Sequence, residues 1–158
     1  MPVINLTDLY ASLPHGARLL GIDPGSRTIG LALSDVRLRL AGPYGSLRRG
    51  KLGAIAAEIA AIALREEVGG LVVGLPLSMD GTAGPAAQAA RDWTHALSAA
   101  TGLPAALWDE RMSTATVQEI LIEQVDLGRK RRAQVVDRVA AAHILQTALD
   151  HLAATATR

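Results

Sequence analysis

The amino-acid sequence predicts one α/β domain, built as a five-stranded mixed sheet flanked by helices. Three observations predict it: a length of 158 residues, three successive apolar segments joined by short turns, and two later apolar segments that each follow a stretch of helical periodicity. The expected order of elements is βββαβαβαα. Strands joined by short turns pair antiparallel, whereas strands joined through helices pair parallel. The first three strands should therefore form an antiparallel meander, with the fourth and fifth parallel to the first.

The meander follows an amino-terminal extension, residues 1–17, in which residues 5–13 have the pattern of a short helix. After this extension, Gly, Pro and charged residues separate the apolar runs and predict the turns between strands. One such turn is Pro24-Gly25, after the first strand. A break is expected near Gly42-Pro43 in the third strand. The three predicted strands are Arg18–Asp23, Ile29–Ser34 and Leu38–Leu47.

The second half of the chain alternates helices and strands. From Leu52 to Ala63 apolar residues recur at three- and four-residue spacing, typical of a helix with one buried face, and Gly69-Gly70 is predicted to end it. Ser113 is a good N-cap for a later helix. The remaining predicted elements are a strand over Leu71–Gly74, a helix over Ala86–Ala100, a strand over Ala105–Trp108 and helices over Thr114–Val125 and Ala133–Leu152.

The composition excludes several kinds of site. The absence of cysteine rules out disulfides, zinc-thiolate sites, iron–sulfur clusters and a cysteine nucleophile. A net charge of +1 does not by itself indicate a nucleic-acid-binding protein, and an aromatic content of 3% argues against a base-stacking platform. The amino terminus lacks a signal-peptide pattern, and the apolar stretch Leu52–Leu64 is too short and too interrupted to span a bilayer. We therefore expect a cytoplasmic protein with no membrane partner.

Three acidic residues are candidates for a common site. Asp23 follows the first strand and Glu110 follows the fifth, and the carboxyl ends of parallel strands meet at one edge of a sheet. Asp137 shares an apolar helix face, where an ionised carboxylate is unfavourable unless it is paired or metal-bound; the other residues of that face are Ala133, Ala141, Ile144 and Ala148.

Each acid also has a structural explanation. Asp23 can stabilise the turn at Pro24-Gly25, Glu110 can be a solvated surface residue, and Asp137 can pair with an arginine such as Arg111. If the three carboxylates converge, however, their repulsion requires a divalent cation. Oxygen ligands favour Mg²⁺ or Mn²⁺, which indicates phosphate chemistry.

Four sequence motifs occur in order along the chain: Leu20–Asp35, Val73–Pro76 with Met79–Thr82, Asp109–Ser113, and the loop Arg129–Arg132 running into Val136–Ala141. In order and spacing they resemble the motifs of the YqgF/RuvX family, Holliday junction resolvases also described as nucleases for precursor 16S ribosomal RNA, with a ribonuclease-H-like fold. The similarity runs from about Arg18 to Leu149. It departs from the family pattern in a longer amino-terminal extension, at Ser78 and at His143.

The resemblance implies a metal-dependent endonuclease whose acidic triad, Asp23, Glu110 and Asp137, holds two Mg²⁺ or Mn²⁺ ions around the scissile phosphate. Asp35, Asp80 and Asp109 are weaker candidates for assisting. Arg48, Arg49 and Lys51 form a weaker second basic patch. The residues expected to contact nucleic acid are Gly25, Ser26, Arg27, Thr28, Arg111, Arg129, Lys130, Arg131 and Arg132.

Several functions stay open at this point. The favoured one is processing of the 5′ end of precursor 16S ribosomal RNA, and the next is resolution of four-way DNA junctions, which needs a dimer. The partner is then structured RNA or branched DNA, bound by a monomer or a homodimer. A non-catalytic regulator of transcription or ribosome assembly is a third possibility. The Asp-x-Gly turn also occurs in actin-like and hexokinase-like phosphotransferases, but those use two such domains.

Overall fold

The five-stranded sheet is seen in a computed structural model that describes residues 3–25, 27–76, 84–109 and 129–156, without the side chains of residues 129–137 and 156. The helix predicted over Thr114–Val125 lies outside these residues. The elements are α1 (Leu6–Ser12), β1 (Arg18–Pro24), β2 (Thr28–Ser34), β3 (Ala41–Arg48), α2 (Leu52–Glu66), β4 (Val68–Leu75), α3 (Pro85–Thr101), β5 (Ala105–Asp109) and α4 (Arg129–Ala156).

The strand order is β3-β2-β1-β4-β5. The pairs β1–β2 and β2–β3 are antiparallel, whereas β1–β4 and β4–β5 are parallel. The register aligns Ile22 of β1 with Val73 of β4 and Leu107 of β5, so these three strands end at the same edge. The predicted mixed sheet and its strand directions are confirmed.

The alternation of side chains along β1 separates two cores. Leu20 and Ile22 pack with the apolar faces of α2 and α3, while Leu19 packs with α1 and α4 on the other face of the sheet. The apolar face of α4 lies on the sheet as expected, since Ala141, Ile144 and Ala148 are buried. Helices α2 and α3 therefore cover one face of the sheet, and α1 and α4 cover the other.

Gly21 marks the point where α4 crosses β1. A Cβ atom on Gly21 would lie 2.8 Å from the Cβ of Leu145 and 3.1 Å from the carbonyl oxygen of Ala141. Such distances leave no room for a side chain, so glycine permits the close approach of helix and strand. This contact fixes the position of α4 two residues before Asp23.

The prediction that Gly69-Gly70 ends α2 is wrong. The helix ends at Glu66, and the next residue, Glu67, caps it in a left-handed conformation with φ of 57°, its amide donating to the carbonyl of Ala63. Both glycines belong to β4, which begins at Val68 and not at Leu71. A Cβ on Gly70 would lie 2.7 Å from Cδ1 of Leu9, so this glycine makes room for α1.

Two other elements begin elsewhere than predicted. The strand β3 starts at Ala41, because the residues before it form a turn closed by hydrogen bonds between Asp35 and Leu40. The break expected near Gly42-Pro43 corresponds to a register shift between Leu31 and Ala32 on the paired strand. The helix α4 starts at Arg129, so the stretch 129–132, predicted as a loop, has a helical backbone.

Candidate nucleic-acid and metal site

Asp23 is the next-to-last residue of β1 and lies opposite Gly30 of β2. Alternation along the strand puts Asp23 on the same face of the sheet as Leu19 and Gly21, which is the face covered by α4. The residue is half-buried. The backbone therefore brings the Asp23 carboxylate to the carboxyl edge of the sheet, beneath the helix that contains Asp137.

Glu110 and the side chain of Asp137 lie outside the described residues. The strand β5 ends at Asp109, the residue before Glu110, and the backbone of Asp137 lies in α4 one turn before Ala141. The carbonyl of Ala141 is the atom that approaches Gly21. The described backbone therefore places the end of β5 at the same sheet edge as Asp23, and α4 against β1 near Gly21.

Asp109 is the last residue of β5 and pairs with Leu75. Trp108, the preceding residue, packs in the core beneath α4. Because neighbouring residues in a strand face opposite sides, Asp109 belongs to the face of α2 and α3. Asp109 and Asp23 therefore lie on opposite faces of the sheet, so Asp109 is poorly placed to share a metal ion with Asp23.

The turn after Asp23 contains several of the predicted nucleic-acid contacts. The amide of Gly25 donates a 3.0 Å hydrogen bond to the carbonyl of Asp23. Arg27 is exposed and Thr28 is half-buried at the start of β2, whereas Ser26 lies outside the described residues. Gly25, Arg27 and Thr28 are therefore held within a few residues of Asp23 on one hairpin.

Arg49, which the sequence predicts only as a member of the weaker second basic patch, contacts the turn that follows Asp23. Its Nη1 donates to the carbonyl oxygens of Gly25 at 2.8 Å and Pro24 at 3.5 Å, and its amide donates to the carbonyl of Arg27 at 2.8 Å. Its Cζ lies 5.4 Å from the centroid of the Trp93 ring. The sequence placed this arginine in a weak basic patch, and only the pairing of β3 with β2 shows which turn it reaches.

The other basic residues have different positions. Residues 129–132 form the first turn of α4, and their side chains, like Arg111, lie outside the described residues. Arg48 and Lys51 are exposed on either side of Arg49. The predicted basic stretch therefore sits at the amino-terminal end of the helix that carries Asp137.

Asp35 lies at the opposite end of the sheet from Asp23. Its Oδ1 accepts hydrogen bonds from the amides of Leu40 at 3.0 Å and Arg39 at 2.7 Å. These amides, that of Leu40 first, hold the pKa of the Asp35 carboxyl below its usual value, and slight desolvation opposes them. Asp35 thus stabilises the β2–β3 turn. Asp80 lies outside the described residues.

The donor chemistry of the site fits a hard divalent cation. Asp23 supplies a carboxylate at the carboxyl edge of the sheet, and the other two acids of the predicted triad are also oxygen donors. Within residues 3–25, 27–76, 84–109 and 138–155, no group of three or more His, Asp or Glu side chains could hold a metal ion. A set of three acidic ligands at this edge would have to include residues outside these ranges, as the predicted triad does with Glu110 and Asp137.

None of the helices in the described part of the chain combines the length and apolar character needed to cross a membrane.

Two named proteins are similar in sequence to almost the whole chain. A Gluconacetobacter diazotrophicus protein named "Putative pre-16S rRNA nuclease" is 61% identical over 150 residues, covering 95% of this chain and 97% of that protein. An Acidiphilium cryptum protein of the same name is 58% identical over 152 residues and covers 96% of each chain.

Solved structures show the same fold. The structure described as "T. thermophilus RuvC in complex with Holliday junction substrate" has a TM-score of 0.53 at 17% identity and covers 88% of this chain and 97% of that chain. This likeness confirms the ribonuclease-H-like fold. The family model for RuvX, described as a Holliday junction resolvase, matches residues 17–151, and the chain belongs to that family.

Proposed function

We propose that this protein is a metal-dependent endonuclease that hydrolyses phosphodiester bonds and processes the 5′ end of precursor 16S ribosomal RNA. The observation that carries the proposal is the position of Asp23, at the carboxyl end of β1 and on the face covered by α4. Membership in the RuvX family and the names of the curated relatives support a nuclease.

In this proposal Asp23, Glu110 and Asp137 hold two Mg²⁺ or Mn²⁺ ions. When bound, such ions activate a water molecule and stabilise the leaving oxygen of the phosphodiester. Asp23 contributes from a strand, so its carboxylate is held by the sheet and requires little reorganisation. The expected products carry 5′-phosphate and 3′-hydroxyl ends.

The hairpin after Asp23 and the start of α4 are the proposed substrate contacts. Gly25, Ser26, Arg27 and Thr28 offer backbone amides, hydroxyls and a guanidinium to a phosphate. Four successive basic residues, 129–132, stand at the amino-terminal end of α4, where the helix dipole disfavours cations. A bound phosphate removes this conflict, since the dipole and the cations both attract it. Arg111 is proposed to contact the same strand.

A second candidate function is the resolution of four-way DNA junctions. The description of the RuvX family model favours it, and the similar RuvC structure is described as bound to a Holliday junction. Symmetric cleavage of a junction requires two active sites, and therefore a homodimer. Cleavage of precursor RNA requires only one site, so the oligomeric state during catalysis separates the two functions.

The test compares cleavage of a structured precursor RNA and of a four-way DNA junction by the purified protein, in Mg²⁺ and in EDTA. Asp23→Asn and Asp137→Asn should each lower kcat at least 100-fold, because an amide replaces a charged metal ligand. Asp150→Asn is the control, since Asp150 is an exposed acid near the other end of α4.

The outcomes separate the proposals. Metal-dependent cleavage of the RNA, lost in both triad variants, supports the proposed function. Cleavage of the junction alone supports the second candidate. Activity of Asp23→Asn equal to that of the unaltered protein overturns the metal site. Tight nucleic-acid binding without any cleavage indicates the non-catalytic regulator.

A further inference from the structure

Arg49 joins three parts of the molecule at the carboxyl edge of the sheet. Its main chain continues the β2–β3 ladder through the hydrogen bond to Arg27. Its guanidinium reaches back across the hairpin to the carbonyl oxygens of Gly25 and Pro24. On its other side the guanidinium lies over the ring of Trp93, which belongs to α3.

The two carbonyls belong to the residues that directly follow Asp23. The Gly25 carbonyl receives the shorter bond, 2.8 Å, and the amide of the same residue donates to the carbonyl of Asp23. Both the amide and the carbonyl of Gly25 are therefore held by hydrogen bonds. A glycine that follows a proline at a strand end is otherwise free to adopt several backbone conformations. The contact with Arg49 therefore restricts the peptide units that set the direction in which β1 ends.

Trp93 restricts the arginine in turn. The indole is half-buried and packs against the core between the sheet and α2. A cation over such a ring gains a modest electrostatic attraction and loses access to alternative rotamers. The arginine side chain is half-buried as well, whereas its neighbour Arg48 is exposed. Arg49 is therefore a fixed part of the fold.

We propose that Arg49, clamped between Trp93 and the carbonyls of Pro24 and Gly25, is a positioning residue that orients Asp23 for cation binding. This inference rests on the proposed function, because it assigns the Asp23 carboxylate to a metal site. Arg49 acts through the backbone of the hairpin. It lowers the entropy that the hairpin loses when the cation binds.

The geometry requires arginine. One planar guanidinium nitrogen can donate to two neighbouring carbonyls while the flat group stacks on an indole. A lysine ammonium retains the charge but has no planar face. Arg49→Lys should therefore keep only part of the effect, whereas Arg49→Met should remove it.

The experiment uses the full chain and four variants: Arg49→Met, Arg49→Lys, Trp93→Leu and Arg48→Met. The last is the matched control, because it removes the same charge from the adjacent exposed residue. Binding of Mn²⁺ alone is followed by the electron paramagnetic resonance signal of the free ion. Amide hydrogen exchange of residues 24–30 is measured in metal-free protein, and kcat and KM are measured on precursor RNA. Circular dichroism confirms that each variant is folded.

The inference expects Arg49→Met to weaken Mn²⁺ binding about 5- to 10-fold and to speed amide exchange in the hairpin by a similar factor. It also expects kcat to fall about 10-fold while KM changes less than 2-fold. Arg49→Lys and Trp93→Leu should show smaller changes in the same direction, and Arg48→Met should leave Mn²⁺ affinity and hairpin amide exchange unaltered. If Arg49→Met does not fold, the Arg49→Lys and Trp93→Leu results carry the same test.

Two results would overturn the role of Arg49 alone. The first is an Arg49→Met protein with unaltered Mn²⁺ affinity and amide exchange but a raised KM, which would make Arg49 a phosphate contact. The second is an equal loss of Mn²⁺ affinity in Arg48→Met, which would show that the loss in Arg49→Met comes from removing a positive charge and not from the contacts of Arg49. If the unaltered protein binds no Mn²⁺ and Asp23→Asn cleaves normally, the proposed function itself fails.

Discussion

The indole Nε1 of Trp108 donates a 2.9 Å hydrogen bond to the hydroxyl of Thr147, and thereby joins β5 to α4. The Thr147 hydroxyl donates in turn to the carbonyl of Ile144 at 2.9 Å, and the Trp108 ring lies 5.2 Å from that of His151. β5 ends one residue before Glu110, and α4 carries Asp137. The hydrogen bond therefore links the two elements that are proposed to bring these acids to Asp23.

Thr147→Val should destabilise the protein by about 1–2 kcal/mol, because the Trp108 N–H loses its partner in a half-buried position. Urea unfolding followed by tryptophan fluorescence measures the change. Thr155→Val is the control: its hydroxyl donates only to carbonyls of its own helix at an exposed position, and the expected change is within about 0.5 kcal/mol. Equal effects of the two substitutions would show that the link between β5 and α4 does not contribute.

Gly21→Ala should be destabilising by about 1–3 kcal/mol, because its Cβ would meet the Leu145 Cβ at 2.8 Å and force α4 away from the sheet. The same shift should lower kcat, since Asp137 lies one turn from Ala141 on that helix. Thermal and urea unfolding report the first effect, and cleavage assays at a temperature where the variant is folded report the second.

The matched control is Gly45→Ala on β3, where an added Cβ meets nothing within 4 Å. Its stability should change by less than about 0.5 kcal/mol in either direction. A Gly21→Ala protein as stable as this control would mean that α4 does not depend on the close approach at Gly21.

Asp35 should make stability depend on pH in the acid range. Its pKa in the folded protein is held below the ordinary value of 3.8 by the amides of Leu40 and Arg39. The folded state therefore favours the ionised carboxyl, and this contribution is present above about pH 3.8 and is lost as the pH falls through the lower folded value.

Asp35→Asn should accordingly reduce stability at pH 7 by roughly 0.5–1 kcal/mol, a modest figure because the site is close to solvent. Urea unfolding at pH 7 and pH 3 should show the difference between the two proteins shrinking at the lower pH. A difference that stays constant would attribute the loss to hydrogen-bond geometry and not to charge.

Replacement of Arg129, Lys130, Arg131 and Arg132 by glutamine should weaken binding to RNA of every sequence. Each lost phosphate contact reduces the slope of log affinity against log salt by about 0.7–0.9. Fluorescence anisotropy between 50 and about 200 mM salt measures the slope. Arg37→Gln with Arg39→Gln is the control, since both are exposed at the Asp35 turn, at the far end of the sheet.

Local patterns along the chain were sufficient to predict the sheet. Short turns and alternating apolar residues specify an antiparallel meander, and helical connections specify parallel pairing. The error at Gly69-Gly70 has a tertiary cause. Two glycines after a helical run look like a helix end, but here they accommodate Ala17 and Leu9 packed against β4. Nothing in the local pattern of residues 52–70 reveals a contact with residues 9 and 17.

The candidate site was predictable to a smaller degree. Asp23 was predictable at the sheet edge because it ends an apolar run, and the alternation of side chains along β1 then places it on the face of the sheet that α4 covers. The role of Arg49 depends on a hairpin partner and on a tryptophan 44 positions later, so no local pattern could indicate it. Asp35 stands in the same sequence block as Asp23, yet the hairpin reverses the chain and carries Asp35 to the other end.

The packing of α1 has a practical consequence for handling this protein. Leu6 and Leu9 are buried with Leu145 and Leu149, and Val3 bridges to Ala105 at the outer strand. Residues 3–12 therefore cover apolar side chains of the sheet and of α4 that would otherwise be exposed to solvent. Removal of residues 1–17 would expose the apolar surface of β4 and α4 that Leu6 and Leu9 cover, and the exposed surface would promote aggregation. Recombinant protein should therefore retain these residues and carry any affinity tag ahead of them.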